Sequence, residues 1–405
     1  MIDIKAKEEC CGCQACAQIC PKSCVTMQPD EEGFLYPIVD TTACIQCGLC
    51  ERVCPELHST RSGEIAPIAY AAYNRDEKTR MESSSGGVFT LLAEQVLNQN
   101  GVIYGVAMEH SYVLHIRVDQ KDGLKQLRGS KYVQSDTSGI YLQVKRDLDD
   151  RHLVLFTGTP CQIEGLKGFL RREYENLICM DFICHGVPAP KVWEKYVSLR
   201  EKTSGARIER VNFRHKKYGW EMFSMMIHFE NKTAYHSKRK NDLFMRTFMS
   251  DICLRPSCYH CSFKKRSRVA DITVADFWGI DEACPDMNDE KGISMVVLHS
   301  HKGERLFELI SKDVIWRKVD VESAICSNLA MIRSSKMPEN RQEFMKRIQT
   351  EPIEDLVPQF TRKPINLKAE VKSFVKVAMY RIGLLSLAKK MKRHIRNNCG
   401  FNKCN

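Results

Sequence analysis

Two stretches rich in cysteine decide the fold of the N-terminal part of this chain. Residues 10–21 read CCGCQACAQICP, and residues 44–55 read CIQCGLCERVCP. Both contain the spacing C-x2-C-x2-C-x3-C, followed directly by proline. The pattern selects Cys10, Cys13, Cys16, Cys20, Cys44, Cys47, Cys50 and Cys54. Eight thiols at a repeated short spacing, in a long chain, indicate metal clusters and not the disulfide framework of a short secreted protein.

The spacing resembles the ligand run of bacterial ferredoxins, which hold two 4Fe-4S cubanes. There, three closely spaced thiolates hold one cubane, and the fourth cysteine of each run reaches the other. We therefore assign Cys54 to the cluster of the first run and Cys20 to the cluster of the second. The alternative is a zinc module, but zinc sites use paired C-x2-C knuckles and four ligands in total. Cys11 and Cys24 fall outside the pattern and are interpreted as packing residues or spare thiols.

Length and charge limit the remaining possibilities. The 405 residues leave room for two or three domains. The polar start of the chain does not resemble a signal peptide, and no uncharged apolar run has the length of a membrane span. We therefore expect a cytoplasmic protein. The net charge is +11, but residues 367–396 alone carry +8. The nearly balanced remainder argues against a nucleic-acid partner.

The order of apolar and glycine-rich segments predicts a mixed α+β and α/β protein. We expect a ferredoxin-type domain at 1–60 with a strand pair at 33–39, a linker at 58–67, a flavin iron–sulfur domain at 66–355 and a basic helical tail at 365–405. Strand, glycine-rich loop and helix alternate in the middle domain, as in α/β proteins. The predicted strands are 68–73, 102–108, 153–156, 178–183, 211–213, 222–229, 272–275 and 295–298. The predicted helices are 88–98, 162–172 and 191–202.

A third group of cysteines lies at residues 253–261, which read CLRPSCYHC. Cys253, Cys258 and Cys261 supply three thiolates, and a 4Fe-4S cluster needs a fourth ligand. Cys184, at the end of a predicted strand, is the first choice. Cys161 is the second, and Asp276 is a distant third. The alternatives are a zinc knuckle or a C-x2-C pair without metal.

Five further segments together resemble a known family. They are SGG at 85–87, GSKY at 129–132, GTPCQ at 158–162, CHGVP at 184–188 and ADITVADFWG at 270–279. In this order they are similar to the beta subunit of coenzyme F420 hydrogenases and dehydrogenases, over roughly residues 66–350. Ala275 departs from the family's GDFWG. The resemblance implies an FAD-bearing iron–sulfur fold. Bacterial members with an N-terminal two-cluster domain are often found near polysaccharide-synthesis functions.

The resemblance also implies the residues that bind FAD. They are Ser85, Gly86, Gly87, Lys131, Tyr132, Thr157, Gly158, Thr159, Pro160 and Gln162. Glycine-rich turns at helix N-termini can expose N–H groups to a pyrophosphate, and Lys131 can neutralise phosphate charge. Each feature alone is also common as a simple turn or a solvated charge. No G-x-G-x-x-G follows a strand, so we predict no Rossmann nicotinamide site.

His185 is the candidate catalytic residue, as a proton donor near the flavin. The alternative is a hydrogen-bonded structural histidine. The resemblance then implies an oxidoreductase that takes electrons from ferredoxin or another low-potential donor and passes them through clusters and FAD to an unknown two-electron acceptor. A non-catalytic electron-transfer subunit of a larger redox complex is the competing interpretation.

The C-terminal tail carries apolar residues at helical spacing between basic ones. The apolar positions are Val371, Phe374, Val375, Ala378, Ile382 and Leu385. This periodicity favours a helix packed on the body of the protein. A basic amphipathic helix can also lie on an anionic membrane surface, so peripheral membrane contact is the alternative.

Overall fold

The computed structural model describes residues 1–58, 63–361 and 375–380. Within these ranges the strands are β1 Val25–Pro29, β2 Leu35–Val39, β3 Ile68–Asn74, β4 Val102–Glu109, β5 Tyr112–Val118, β6 Val154–Gly158, β7 Leu177–Phe182, β8 Ile208–His215, β9 Ser224–Phe229, β10 Ala234–Lys238, β11 Ile272–Asp276, β12 Ser294–Leu298 and β13 Val314–Val319. The α-helices are α1 Ala15–Ile19, α2 Leu49–Arg52, α3 Glu77–Glu82, α4 Val88–Asn98, α5 Leu124–Leu127, α6 Ile140–Asp149, α7 Pro160–Leu170, α8 Pro190–Ser204, α9 Leu243–Met249, α10 Ile280–Ala283, α11 His301–Leu309, α12 Val321–Cys326, α13 Arg341–Arg347 and α14 Ile353–Phe360.

The two cysteine runs of the N-terminal module fold alike. The first run turns into α1 and the second into α2. Gln14 precedes α1 and Gly48 precedes α2, each between the second and third cysteine of its run. Both residues have positive φ, 65° and 68°, so the chain turns sharply at the same place in each run. The repeat seen in the sequence is therefore a structural repeat.

The module's hairpin differs in extent from the prediction. Residues 33–39 supply one strand, β2, and not a strand pair; its antiparallel partner is β1, with Val25 opposite Val39. The reason is the position of the turn. The Asp30 carboxylate accepts hydrogen bonds from the backbone N–H groups of Glu32 and Phe34, and Gly33 takes a φ of 87°. The hairpin therefore reverses before residue 34.

The central feature of the larger part is a mixed sheet of order β13-β3-β12-β11-β7-β6-β4-β5 in the described residues. Strands β4, β6, β7 and β11 are parallel, and β5 pairs antiparallel with β4 at one edge. β12 runs antiparallel between β11 and β3, so β3 points the same way as the parallel strands. The carboxyl ends of β3, β6, β7 and β11 therefore meet at one edge of the sheet.

Helices cover both faces of this sheet, and the N-terminal module packs on one of them. On one face α4 and α11 bury Leu92, Val96 and Phe307 against the strands. On the other face α6 and α7 bury residues such as Tyr141 and Phe169, together with Cys11, Cys13 and Val53 of the module. The module thus shares a hydrophobic core with the large domain and does not stand apart from it.

A second, antiparallel sheet of order β10-β9-β8 packs against α8, α9, α13 and α14. Its core includes the fully buried aromatic residues Phe213, Phe244 and Phe344. Phe34 of the N-terminal hairpin belongs to the same core. The hairpin is also held by a buried ion pair, in which Arg341 of α13 donates to both carboxylate oxygens of Glu32 at 3.0 and 2.5 Å.

The mixed α/β class with a mixed sheet is confirmed, and every predicted strand and helix of the middle domain is present within a few residues. The sequence did not predict β5, β10 or β13. All three lie at sheet edges. Edge strands are half exposed and carry polar residues, so they lack the apolar runs that marked the central strands.

Most of the predicted basic tail lies outside the described residues. Residues 375–380 form a helical segment, in which Val377 is buried and Lys376 Nζ pairs with Glu221 Oε2 at 2.5 Å. This segment therefore contacts the body of the protein. Among the described helices, none combines the length and the apolar character needed to cross a membrane.

Candidate redox and cofactor site

The first cysteine set lies deep in the N-terminal module, where it faces the large domain. We name Cys10, Cys13, Cys16 and Cys54 the inner set. Burial, and the nearby thiols of Cys10 and Cys54, raise the pKa of Cys16 to about 12. The Cys13 thiol interacts with Cys10 and Cys16. The four residues assigned to one cluster thus converge.

The second set lies at the outer end of the module. We name Cys20, Cys44, Cys47 and Cys50 the outer set. All four line one small cavity, and Cys47 is exposed to solvent. Backbone N–H groups of Ile2 and Gln46 lie 3.2 and 3.4 Å from the sulfurs of Cys50 and Cys44. Such N–H···S contacts are typical of cluster ligands.

Cys24 lines the same cavity, with its sulfur 3.4 Å from that of Cys20. The sequence pattern gave this thiol no role. Its position four residues after Cys20, at the start of β1, brings it back to the outer set. The structure therefore places five thiols at this end of the module.

A third set forms where the large domain meets the module. It consists of Cys161, Cys184, Cys258 and Cys261. Burial, and then the neighbouring thiols of Cys161 and Cys261, raise the pKa of Cys184 to about 12. The Cys258 thiol interacts with all three others. Two of these residues follow adjacent parallel strands, Cys161 after β6 and Cys184 after β7. The other two come from the 3-10 helix Pro256–His260 and the residue that follows it.

Cys253 lies apart from the third set. It is fully buried in the core around the small sheet, and the charged groups acting on its thiol are Arg341, Glu32 and Asp251. Burial raises its pKa to about 12. The structure thus brings together Cys184, Cys258 and Cys261 as expected. The remaining member of the set is Cys161, which was the second choice for the fourth ligand, and not Cys253, which the spacing suggested. Asp276, the third choice, pairs with Arg214 instead.

A thiol that belongs to neither set connects the inner and third sets. Cys11, the neighbour of Cys10 in the chain, places its thiol against those of Cys13 and Cys161. Helix α7, which begins next to Cys161, also packs on the inner set. A Cβ added to Gly165 of α7 would lie 2.9 Å from Cys13 Sγ, so only glycine permits this approach. Cys11 and Gly165 therefore bring the two sets close together.

A large cavity of about 870 Å³ opens at the carboxyl ends of the parallel strands, beside the third set. This is the edge at which open α/β sheets bind ligands, and the volume suits a cofactor with a substrate. Cys184 and His185 line it on one side. Of the residues implied for FAD, those that line the cavity are Ser85, Gly87, Lys131, Tyr132, Thr157, Thr159 and Gln162.

The other three residues implied for FAD, Gly86, Gly158 and Pro160, do not line the cavity but belong to the segments that form its walls. A Cβ on Gly86 would lie 2.5 Å from the carbonyl oxygen of Ala72, so the glycine allows the loop to pack on β3. Gly158 ends β6 and Pro160 begins α7. The N-terminus of α4, behind Gly87, faces the cavity and has no side-chain cap, so it can offer unpaired N–H groups to an anion. The N-terminus of α7 is capped instead: Thr159 Oγ1 accepts from the Gln162 N–H, and Gln162 Oε1 accepts from the Thr159 N–H.

Basic side chains surround the same space. Lys131 Nζ donates to the carbonyl oxygens of Gln126, Leu127 and Arg128 at 3.0–3.1 Å, and burial lowers its pKa to about 7. Arg214, almost fully buried, pairs with both carboxylate oxygens of Asp276, while its Nε has no partner in the described structure. An anionic, hydrogen-bonding ligand such as FAD fits this lining.

The segment around Asp276 is held rigidly. Its carboxylate accepts a third hydrogen bond from Trp220 Nε1 at 2.6 Å, and Trp220 stacks on Trp278 with ring centroids 5.0 Å apart. Phe277 is fully buried, as expected for a core residue. Ala275, the departure from the family motif, lines the cavity.

His185 is oriented by a carboxylate that the sequence did not suggest. Its Nε2 lies 2.5 Å from Asp251 Oδ1, and its ring meets the edge of Phe248 at 5.1 Å. Asp251 takes a φ of 62°, just after α9. His185 therefore stands at the wall of the cavity, next to Cys184, with Asp251 as its hydrogen-bond partner.

Comparison with known proteins agrees with these features. Residues 152–323 match the family model for the C terminus of the coenzyme F420 hydrogenase/dehydrogenase beta subunit. Residues 9–57 match the 4Fe-4S dicluster domain. The predicted family resemblance is therefore confirmed. The matched region is shorter than the 66–350 expected, so the Ser85–Gly87 and Lys131 loops lie outside it.

One curated relative is the coenzyme F420-dependent sulfite reductase of Methanocaldococcus jannaschii, 25% identical over 315 residues. The match covers 73% of this chain, which spans only 45% of the length of that relative. Among solved structures, the F420-reducing NiFe hydrogenase complex from Methanosarcina barkeri aligns with a TM-score of 0.43 and 12% identity, covering 74% of this chain and 91% of that one. The two family models and this relative thus relate the chain to iron–sulfur oxidoreductases of this group.

Proposed function

We propose that this protein is an iron–sulfur flavoenzyme that accepts electrons one at a time at the outer set and delivers them in pairs to an acceptor in the cavity. The donor is ferredoxin or another low-potential carrier. When bound, three 4Fe-4S clusters supply one-electron carriers, and FAD supplies the two-electron chemistry. The supporting observation is the order of the sites: the outer set, inner set, third set and cavity neighbour one another in sequence.

Contacts between residues support this order at each junction. Cys16 of the inner set interacts with Cys54 and with Cys50 of the outer set, in agreement with the proposed exchange of Cys20 and Cys54 between the two runs. Cys11 and Gly165 bring the third set against the inner set. Cys184 belongs to the third set and also lines the cavity. These contacts support Cys161, Cys184, Cys258 and Cys261 as the ligands of the third cluster.

Around the cavity, the chain would bind and orient the flavin. The N–H groups at the N-terminus of α4 would face a pyrophosphate, and Lys131, whose Nζ donates to three carbonyl oxygens, would hold the loop beside it. Lys216 fixes the loop before α4, since its buried ammonium donates to the carbonyl oxygens of Arg80, Ser85 and Lys291 at 2.6–2.7 Å. His185, whose Nε2 is held by Asp251, would carry a proton to the acceptor at Nδ1.

The cavity favours an enzyme over a non-catalytic electron-transfer subunit. A protein that only relays electrons needs no space for a substrate beside its last carrier, whereas about 870 Å³ is available here. The identity of the acceptor, and any link to polysaccharide synthesis, rest on the family resemblance alone. Peripheral membrane contact through the basic tail likewise remains a proposal.

Cofactor analysis after anaerobic reconstitution tests this function. We expect acid treatment to release FAD, and we expect reduced ferredoxin to bleach the flavin absorbance. The matched control is the double variant Cys16→Ser, Cys47→Ser, in which bleaching should slow strongly while FAD stays bound, because the cavity is untouched. Release of FMN only, or of no flavin from a fully metallated sample, would contradict the flavin assignment. Equal bleaching rates would contradict the relay.

A further inference from the structure

Arg255 is a buried cation placed between two of the cysteine sets. It belongs to the segment that supplies Cys258, and its backbone carbonyl accepts a hydrogen bond from the Cys258 N–H at 2.9 Å. Its side chain points the other way, into the N-terminal module. Nε donates to the carbonyl oxygen of Cys10 at 2.7 Å, and Nη2 lies 3.6 Å from Cys10 Sγ. Arg255 therefore contacts Cys10 of the inner set through its side chain and Cys258 of the third set through its main chain.

The guanidinium is completely enclosed. Its exposed fraction is 0%. Nη2 also donates to the Leu35 carbonyl oxygen at 2.9 Å, and Nη1 lies 3.4 Å from the Gln134 amide oxygen. The rings of Tyr36 and Phe34 lie 4.5 and 5.2 Å from its central carbon. The group is thus fixed in one orientation.

In the described residues, Arg255 forms no ion pair with a carboxylate. Its side-chain hydrogen bonds go to two carbonyls, an amide oxygen and a sulfur. Glu56, which is close enough to interact with Arg255, accepts its hydrogen bond from Ser262 at 2.9 Å. A buried cation without a counter-charge is strongly unfavourable. A cluster held by four thiolates, at the sulfur that Arg255 already contacts, supplies the missing negative charge.

We propose that Arg255 raises the reduction potential of the inner cluster and so makes it the electron acceptor of the outer cluster. This inference rests on the proposed function. In the step concerned, one electron leaves the outer cluster and enters the inner cluster, and no bond or proton moves. The product carries one more negative charge beside the guanidinium. Net charge and hydrogen bonds to sulfur are known determinants of cluster potential.

The outer set has no buried guanidinium among the described residues. The cations near it are the Met1 ammonium, which interacts with Cys44 and Cys50 but is exposed and paired with Glu51, and Lys22, which lines the same cavity. The two sets share the same ligand spacing and the same local fold. A cation that is buried and in contact with a ligand sulfur therefore distinguishes the inner set, and it favours electron transfer inward.

Potentiometric titration followed by electron paramagnetic resonance tests the proposal on the reconstituted full chain. Arg255→Gln should lower the reduction potential of the inner cluster by about 59 mV. The equilibrium constant for one-electron transfer from the outer to the inner cluster should then fall about tenfold. Arg255→Lys keeps the charge but not the fixed hydrogen bonds, and should shift the potential in the same direction by less. The inner signal is identified by its change in Cys16→Ser.

Arg341→Gln is the matched control, because Arg341 is also buried and also ties the module to the large domain through Glu32, yet touches no sulfur of the three sets. It should destabilise the protein and leave all cluster potentials unchanged. An unchanged inner potential in Arg255→Gln, or an equal shift in Arg341→Gln, overturns the proposal. If Arg255→Gln does not fold, Arg255→Lys is the deciding variant. An unchanged inner-cluster potential in Arg255→Lys would then overturn the proposal. Absence of iron from the wild-type chain would instead contradict the proposed function.

Discussion

At the scale of single residues, the proposed chemistry depends on pairs that the fold brings together from distant parts of the chain. His185 and Asp251 are such a pair, 66 residues apart. The carboxylate fixes which imidazole nitrogen faces it, and so determines which nitrogen faces the cavity. Because Asp251 has a φ of 62°, asparagine, which tolerates this conformation, is the substitution that removes the charge and keeps the backbone.

We expect Asp251→Asn to slow proton-coupled electron delivery about tenfold, since a hydrogen bond to a charged group is worth about 1.5–3 kcal/mol. His185→Asn should slow it by about 100-fold, the lower end for a general acid. The measurement is the oxidation of the reduced, fully loaded protein by 1,4-benzoquinone, which takes up two electrons and two protons. His228→Asn is the control, because His228 does not line the cavity. Unchanged rates in both cavity variants, with iron and flavin contents retained, would remove the dyad from the mechanism.

Single residues also mark the limit of prediction from sequence. The eight cysteines of the N-terminal runs could be grouped because their spacing is local. Cys161 could not be ranked above Cys253, since both are one cysteine among many and Cys253 is much nearer to Cys258 in the chain. The useful signal was topological: Cys161 and Cys184 each follow directly after a predicted strand. Only the pairing of β6 with β7 shows that these two strand ends are neighbours.

At the scale of elements, strand ends and helix starts create the cavity. The loops after β6 and β7 and the loop before α4 could be predicted from the change between apolar strand and glycine-rich turn. The antiparallel position of β12 between β11 and β3 could not, because its apolar sequence fits either direction. This strand places Ser294 beside the loop before α4, where its Oγ lies 3.0 Å from the Gly86 N–H.

Gly87→Ala tests whether the start of α4 binds the flavin. Gly87 has a φ of 79°, and an added Cβ would lie 3.2 Å from Arg80 Cα, so alanine should cost about 1–2 kcal/mol of folding stability and displace the N-terminus of the helix. Flavin occupancy after gel filtration should fall. Gly205→Ala is the matched control, with a φ of 71° at the end of α8, open space around it and no place in the cavity. It should lose similar stability and keep its flavin; equal flavin loss in the two variants would argue against the site.

At the scale of the whole molecule, the N-terminal module is built into the large domain. Glu32 pairs with Arg341, Gln14 donates to Asp136 at 3.0 Å, and the Tyr141 N–H donates to Gln18 at 2.9 Å. The polar composition of residues 58–67 predicted a linker between the two parts. The contacts that join the two parts lie far apart in the chain, so their presence could not be predicted. A fixed module is what a relay between the inner and third sets requires.

The composition of the third cluster is the central claim, and iron and sulfide analysis of two single variants tests it most directly. The reconstituted wild-type chain should contain about twelve iron atoms, as expected for three cubanes. Cys161→Ser should retain about eight, because it removes a ligand of the third set. Cys253→Ser, at a buried thiol in the same segment as Cys258, should retain about twelve. The opposite result, with iron lost from Cys253→Ser and kept in Cys161→Ser, would contradict the account.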